Sequence, residues 1–224
     1  MLSLLSLLVS LIPVAFAGTM STVPATVTII ILLSPNAHRG AFLFFFGSFA
    51  GALLLVGGAA AGLRFLPIRE GPDPNARAAA VGLVVAALVI GYGIYLLSRA
   101  PRTDRAALSG LRARVDSAHP WQFLILGLAL NLRPKAVLLS LTAGTLIGLQ
   151  DLRLLAGTLV VLAYVLLAQA EILVPIVLRM RRPERAEAML TGLDAWMQRH
   201  SQTITGVTLL IAGLFIAGLG IARL

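Results

Sequence analysis

The chain contains no cysteine. That excludes a thiol redox relay and a cysteine metal site, and leaves the compartment open. Acidic residues are scarce, nine against eighteen Lys and Arg, which gives a formal net charge of +9. Only 12% of the 224 residues are charged and 58% are hydrophobic, with a mean hydropathy of +0.94. A soluble domain of this size cannot hide so much apolar surface, so lipid must be the solvent. In a soluble protein the positive charge would point to nucleic acid. Here the basic residues sit in connections between apolar runs, where they read as topology signals and contacts with anionic lipid, with no nucleic-acid partner. The three histidines, His38, His119 and His200, fall at predicted membrane edges, unpaired with carboxylates at metal spacing. No Ser-His-Asp set, phosphate loop or dinucleotide fingerprint occurs in a plausible context. The expectation is therefore a protein without enzymatic activity, cofactor or metal.

The stretch Trp121 to Gln150 organises the rest. Apolar and small residues flank a centre made of Asn131, Arg133, Pro134 and Lys135. A proline inside a membrane helix frees a backbone carbonyl and kinks or breaks the helix. Two cations at that depth cost about 3 kcal/mol each on insertion scales, so a cavity or an acidic partner is expected beside them. The pattern is that of the discontinuous helices transporters place near the midplane. The alternative is a short loop between two re-entrant or interfacial segments.

Taken in order, the first apolar block runs from about Leu2 to Leu33, too long for one straight span, with Pro13, Gly18 and Pro24 offering places to bend. Ala15-Phe16-Ala17 has the look of a signal-peptidase site. No Lys or Arg precedes it, so a retained first span is expected. A polar turn, Ser34 to Gly40, leads to a second span from about Ala41 to Phe65, which carries Gly47/Gly51 and Gly58/Gly62 at helix-packing spacing. Third, fourth, fifth and sixth spans are expected at about Ala78–Leu97, Trp121–Gln150, Leu154–Leu178 and Thr203–Ile221. Two basic connections separate the later spans. In the first, about 99–119, Ala107, Leu108, Leu111 and Val115 can form one apolar helical face. In the second, about 179–202, Ala186, Met189, Leu190, Leu193, Trp196 and Met197 do the same, which reads as an interfacial helix.

Lys and Arg counts set the orientation. With the N-terminus outside, the inner connections hold Arg39; Arg99, Arg102, Arg105, Arg112 and Arg114; and Arg179, Arg181, Arg182, Arg185 and Arg199, eleven in all. The outer side holds five: Arg64, Arg69, Arg77, Arg153 and Arg223. Both termini are thus expected outside the plasma membrane, with 99–119 and 179–202 cytoplasmic. Three spans per half would make an inverted repeat, about 1–98 and 120–222, within one transmembrane domain of residues 1–224. Val23-Pro24-Ala25-Thr26-Val27 can be set against Arg133-Pro134-Lys135-Ala136-Val137, each in the first span of its half. The fold expected is all-α, six transmembrane helices in two inverted three-helix repeats, with helices 1 and 4 broken. Chance placement of prolines in two apolar helices is the competing explanation.

Glu171 is the only acidic residue deep inside a predicted span, with Lys135 or Arg133 as its natural partner. Tyr164, Ala168 and Glu171 share a helix face, which would put Tyr164 on the same cavity. Asn131, Thr22 and Thr26 are further candidates for polar lining, with backbone satisfaction the competing role for the threonines. A buried ion pair that only fixes packing is the alternative to a binding site at Lys135, Arg133 and Glu171.

A chain of this length and layout, with Ser34-Pro35 followed by Arg39-Gly40 after the first span, resembles the GAP family, the Sap-like proteins of the LysE exporter superfamily. Asn131, Pro134, Lys135 and the following VLLSLTAG resemble that family's Asn-Pro-Lys segment and the small-residue helix after it. Amino-acid exporters of the superfamily carry Pro-Gly-Pro in the first span; this chain has Val23-Pro24-Ala25. The resemblance implies a LysE-like fold and delivery of a glycopeptidolipid-like glycolipid or related amphiphile to the cell surface. Substrate would meet Lys135, Arg133, Glu171, Asn131, Pro134, Pro24, Thr26 and Tyr164. Export of amino acids or other small metabolites is a second possibility, and a non-transporting scaffold for cell-envelope biosynthesis a third. Besides the bilayer and the substrate, partners would be a second copy of the chain or envelope-biosynthesis proteins.

Overall fold

The computed structural model describes residues 2–19, 22–35, 37–65, 74–98, 110, 114–150, 152–181, 192, 203, 206–218 and 220–221. Every regular element among them is an α-helix. In chain order these are α1 (Leu2–Thr19), α2 (Thr22–Leu32), α3 (Ala37–Phe65), α4 (Pro74–Ser98), α5 (Pro120–Leu130), α6 (Pro134–Gly148), α7 (Leu154–Ala168) and α8 (Ala170–Arg181), then α9 (Gly206–Gly218). Among the described residues, only α3 and α4 hold single windows long and apolar enough to cross a membrane, Ala37–Gly62 and Ala79–Ser98. Three pairs pass that test together and are bent: α1 with α2 by 49°, α5 with α6 by 66°, and α7 with α8 by 61°. Counting each pair once, the described residues of this multi-pass membrane protein hold up to five spans, and α9 is a shorter apolar helix.

Local chemistry accounts for the bends. Pro134 opens α6, where a missing N–H costs nothing, and Arg133 before it is extended at φ −67°, ψ 143°, as a residue preceding proline prefers. Pro24 lies in the first turn of α2 in the same way, whereas Pro13 sits inside α1 without ending it. The bend between α7 and α8 departs from the straight fifth span expected. It falls at Gln169, and Pro175 of α8 lies further on. Proline there cannot donate to the carbonyl of Glu171, which loosens the turn just past the bend. The polar turn after α2 is also shorter than expected. Ala37 to Gly40 form the first turn of α3, and the Ser34 hydroxyl donates to Ile31 O at 2.7 Å to close the end of α2.

The straight helix α3 is the spine of the fold and packs against α2, α5, α6, α7 and α8. It meets α5 backbone to backbone. A Cβ on Gly47 would collide with Leu124 O, and one on Gly127 with Phe44 O. Further along, a Cβ on Gly144 of α6 would stand 2.5 Å from Ala59 Cβ. Gly47 and Gly51 are therefore packing residues, but a Cβ on Gly58 or Gly62 meets nothing within 4 Å. The contacts advance together along both partners, so α3 runs parallel to α5 and α6. In contrast, α9 runs antiparallel to α4: positions 206, 213 and 220 sit over Leu97, Ile90 and Leu83 in turn. That heptad of glycines was not singled out from the sequence.

Of the two basic connections, Val115 is described and buried at 2% exposure beside Phe123 and Ile176. Ala107, Leu108 and Leu111 lie outside the described residues, as does the apolar stripe from Ala186 to Met197.

Candidate functional site

All three bends face one cavity. Its wall includes Gly18 and Pro24 from the first pair, Asn131, Arg133 and Lys135 from the second, and Ala168, Gln169 and Glu171 from the third, with Ser48 of α3 opposite. The space open to the centre of a water-sized sphere is about 60 Å³, room for about four waters. Ser48 stands near the centre of the Ala37–Gly62 window, about 17 Å of helix from one end and about 21 Å from the other. The cavity therefore sits at mid-depth of the straight span.

Two side-chain amides tie the breaks to α3. Asn131 caps α5 and is buried. Its Nδ2 donates to Ser48 O at 3.0 Å and to Gly127 O at 3.0 Å, and lies 3.3 Å from Ser48 Oγ. Gln169, also buried, donates from Nε2 to Ser48 O at 3.1 Å and accepts from the Ser48 hydroxyl at 3.1 Å. Buried amides must be paired in this way, because an unmade hydrogen bond in an apolar interior costs about 1–3 kcal/mol. The guanidinium of Arg133 contributes too: its Nε donates at 2.7 Å to Leu130 O, a carbonyl freed by the break.

The charges come next. Lys135 is buried, and Arg133 and Glu171 are half-buried. Glu171 lies close enough to act electrostatically on both cations. Among the lining residues, two cations and one anion give the cavity a formal excess of positive charge. No group of three His, Asp or Glu suited to a metal occurs among the described residues.

Of the residues singled out from the sequence, Lys135, Arg133, Glu171, Asn131, Pro24 and Tyr164 all line this cavity. Tyr164, Ala168 and Glu171 line it together, although the bend at Gln169 interrupts the helix face they were expected to share. Pro134 is exposed and stands beside the lining residues, and Thr26 is buried in α2 away from the wall. The Thr28 hydroxyl, not that of Thr26, satisfies Pro24 O at 2.7 Å. The side chain of Thr22 is outside the described residues. Ser48, Ser140 and Gln169 were missed as lining. Gln169 lies two residues before Glu171 in an apolar run, a signal that deserved the weight given to Asn131.

This geometry defines a class: a multi-pass helical membrane protein with a charged, hydrated-size cavity where its bent helices converge. The chain belongs to the Sap, sulfolipid-1-addressing protein family, whose model matches residues 11–222. This is a membrane lipid-addressing family, not a known enzyme family, and the match bears out the resemblance to Sap-like proteins. No curated protein and no solved structure matches the chain.

Proposed function

We propose that the protein moves an anionic, lipid-linked amphiphile outward across the plasma membrane. The single observation behind this reading is the net-positive cavity at mid-depth, placed where three helix pairs bend. An anionic group, a sulfate or a phosphate, meets Arg133 and Lys135, and Glu171 serves as counter-ion or proton site. A family described as sulfolipid-1-addressing supports a sulfated or similarly charged glycolipid as cargo. Bent helices give the wall its mobility, and alternating access around the cavity carries the head across.

The architecture we propose is six spans in two inverted repeats, as in LysE-type exporters, with both termini outside. Its support is the pattern of packing. Exchanging the halves maps the α3 contacts with α5 and α6 onto the α7 and α8 contacts with α1 and α2. The antiparallel α4–α9 pair then lies across the pseudo-twofold. The bend at Gln169 has no counterpart in α3 and breaks the symmetry on the cavity side.

A second cargo class, an amino acid or other small metabolite, draws support from the small size of the cavity. A scaffold without transport would need no hollow among its charges. The deciding experiment compares lipids and metabolites of a deletion strain with wild type, then complements with wild-type protein and with the Arg133→Gln/Lys135→Met variant. Retention of an anionic glycolipid inside the cell, reversed only by wild type, is expected. Retention of a small metabolite instead favours the second cargo. An unchanged surface and unchanged pools in the deletion strain would end the transport reading.

A further inference from the structure

A second hollow lies on three of the helices that line the polar cavity, α3, α6 and α7. Leu53, Gly57 and Ala61 of α3, Ile147 of α6, and Thr158 and Val161 of α7 border a trough of about 230 Å³. Its chemistry is different. The one hydroxyl in its wall, that of Thr158, already donates to Leu154 O at 2.9 Å, so nothing polar there calls for a ligand group. Small residues give it room: a Cβ on Gly57 meets no atom within 4 Å.

The two hollows are stacked. On α3, Val56 lines the cavity and its neighbour Gly57 the trough; on α7, Tyr164 lines the cavity and Val161, less than a turn away, the trough. On α6 the step is from Ser140 to Ile147, about two turns. These steps of one, three and seven residues correspond to about 1.5, 4.5 and 10.5 Å of helix rise. The exposed Leu154 and Thr158 leave the trough open at the protein surface, within an apolar helix of the third bent pair. Between Lys135 and the trough the wall runs past Leu139, Ser140, Val56 and Tyr164, a mostly apolar layer that separates the two hollows.

We propose that the trough receives the acyl chain of the amphiphile whose anionic head sits at Arg133 and Lys135. This rests on the transport reading above. The shape and charge of the two hollows match one ligand with two unlike ends, and bulk zwitterionic lipid matches only the trough. In the proposed orientation the trough lies on the outer side of the cavity, so the tail leads the head toward the outer leaflet.

The test uses the full-length protein in phosphatidylcholine nanodiscs with a trace of long-chain alkyl sulfate bearing a diazirine near its chain end. Photolysis and peptide mapping should place adducts on Leu53 and Val161. Gly57→Leu, which fills open space, and Ala61→Phe should each cut those adducts at least fivefold, and Thr158→Val should leave them unchanged. A phosphatidylcholine carrying the same diazirine chain should label the trough at least tenfold less. Equal labelling by both probes would show bulk lipid only and overturn the inference. Adducts that require Arg133 and Lys135 but map away from the trough overturn it as well, and leave the head site standing. Trough adducts that persist in Arg133→Gln/Lys135→Gln overturn the head site and with it the pairing of head and tail.

Discussion

Asn131 and Gln169 share one acceptor, the backbone carbonyl oxygen of Ser48, at 3.0 and 3.1 Å. They come from two different bent helix pairs, and Ser48 lies in the straight helix between them. Arg133 and Lys135 follow Asn131 by two and four residues, and Glu171 follows Gln169 by two. One carbonyl in α3 thus fixes the position of the cations and of their counter-charge. A motion that carries the second and third bent pairs apart at this level must stretch or break one of these bonds.

Removing either amide should be costly. Asn131→Leu and Gln169→Leu each take away donors to Ser48 O and should destabilise the protein by about 1–3 kcal/mol. Because each single variant leaves Ser48 O one amide donor and the double variant leaves it neither, the double variant should lose more than the sum of the two. Ser48→Ala keeps the carbonyl but takes the hydroxyl donor from buried Gln169 Oε1, and should cost about 1–3 kcal/mol. Thermal melts in detergent give the ranking, and strictly additive losses would mean the two amides act independently.

The glycines of α3 should divide into two classes. Gly47→Ala puts a methyl into the Leu124 backbone and forces α3 and α5 apart, a loss of about 1–3 kcal/mol of the overpacking kind. Gly58→Ala and Gly62→Ala meet open space and should be neutral or stabilise by up to about 1 kcal/mol through helix propensity. Equal effects at Gly47 and Gly58, read by melting or by the yield of monodisperse protein, would contradict the helix crossing described.

Much of this was legible in the sequence, and the gaps have physical causes. Prolines and charges are loud signals in an apolar chain, so the breaks near Pro24 and Pro134 and the meeting of Lys135, Arg133 and Glu171 followed from the residues alone. Ser48 was silent because its decisive atom is a backbone oxygen, which every residue has. The bend at Gln169 was missed because Pro175 sits beyond it and the residues before it form an unbroken apolar helix. The glycine pairs at 47/51 and 58/62 have identical spacing, and only the neighbours across the interface tell packed from open.

Orientation is open to a direct test. The eleven-to-five basic bias predicts that reporter fusions at Arg105 and Arg185 read cytoplasmic and one at Asp73 reads external. The opposite readings would reverse the topology and turn the trough toward the inner leaflet. Arg105 and Arg185 on opposite sides would remove the inverted repeat itself.

The charge cluster separates a structural role from a transporting one. Lys135 is buried and feels Glu171, so Lys135→Met and Glu171→Gln each leave a partner less compensated in a medium where charge is costly. Each single variant should melt lower than wild type, by a few kcal/mol for a well-buried pair. The double variant removes both of these costs but leaves Arg133 without its acidic neighbour, so it should recover only part of that loss. If the charges only hold the helices together, the double variant will also export normally. The net-positive cavity predicts otherwise, because neutralising Lys135 weakens the anion site even when the fold is restored. The expected result is a stable, correctly inserted double variant that leaves the anionic lipid inside the cell. Full export by that variant, with a wild-type melt, would reduce Lys135 and Glu171 to a packing pair and leave Arg133 as the cation to which the cargo binds.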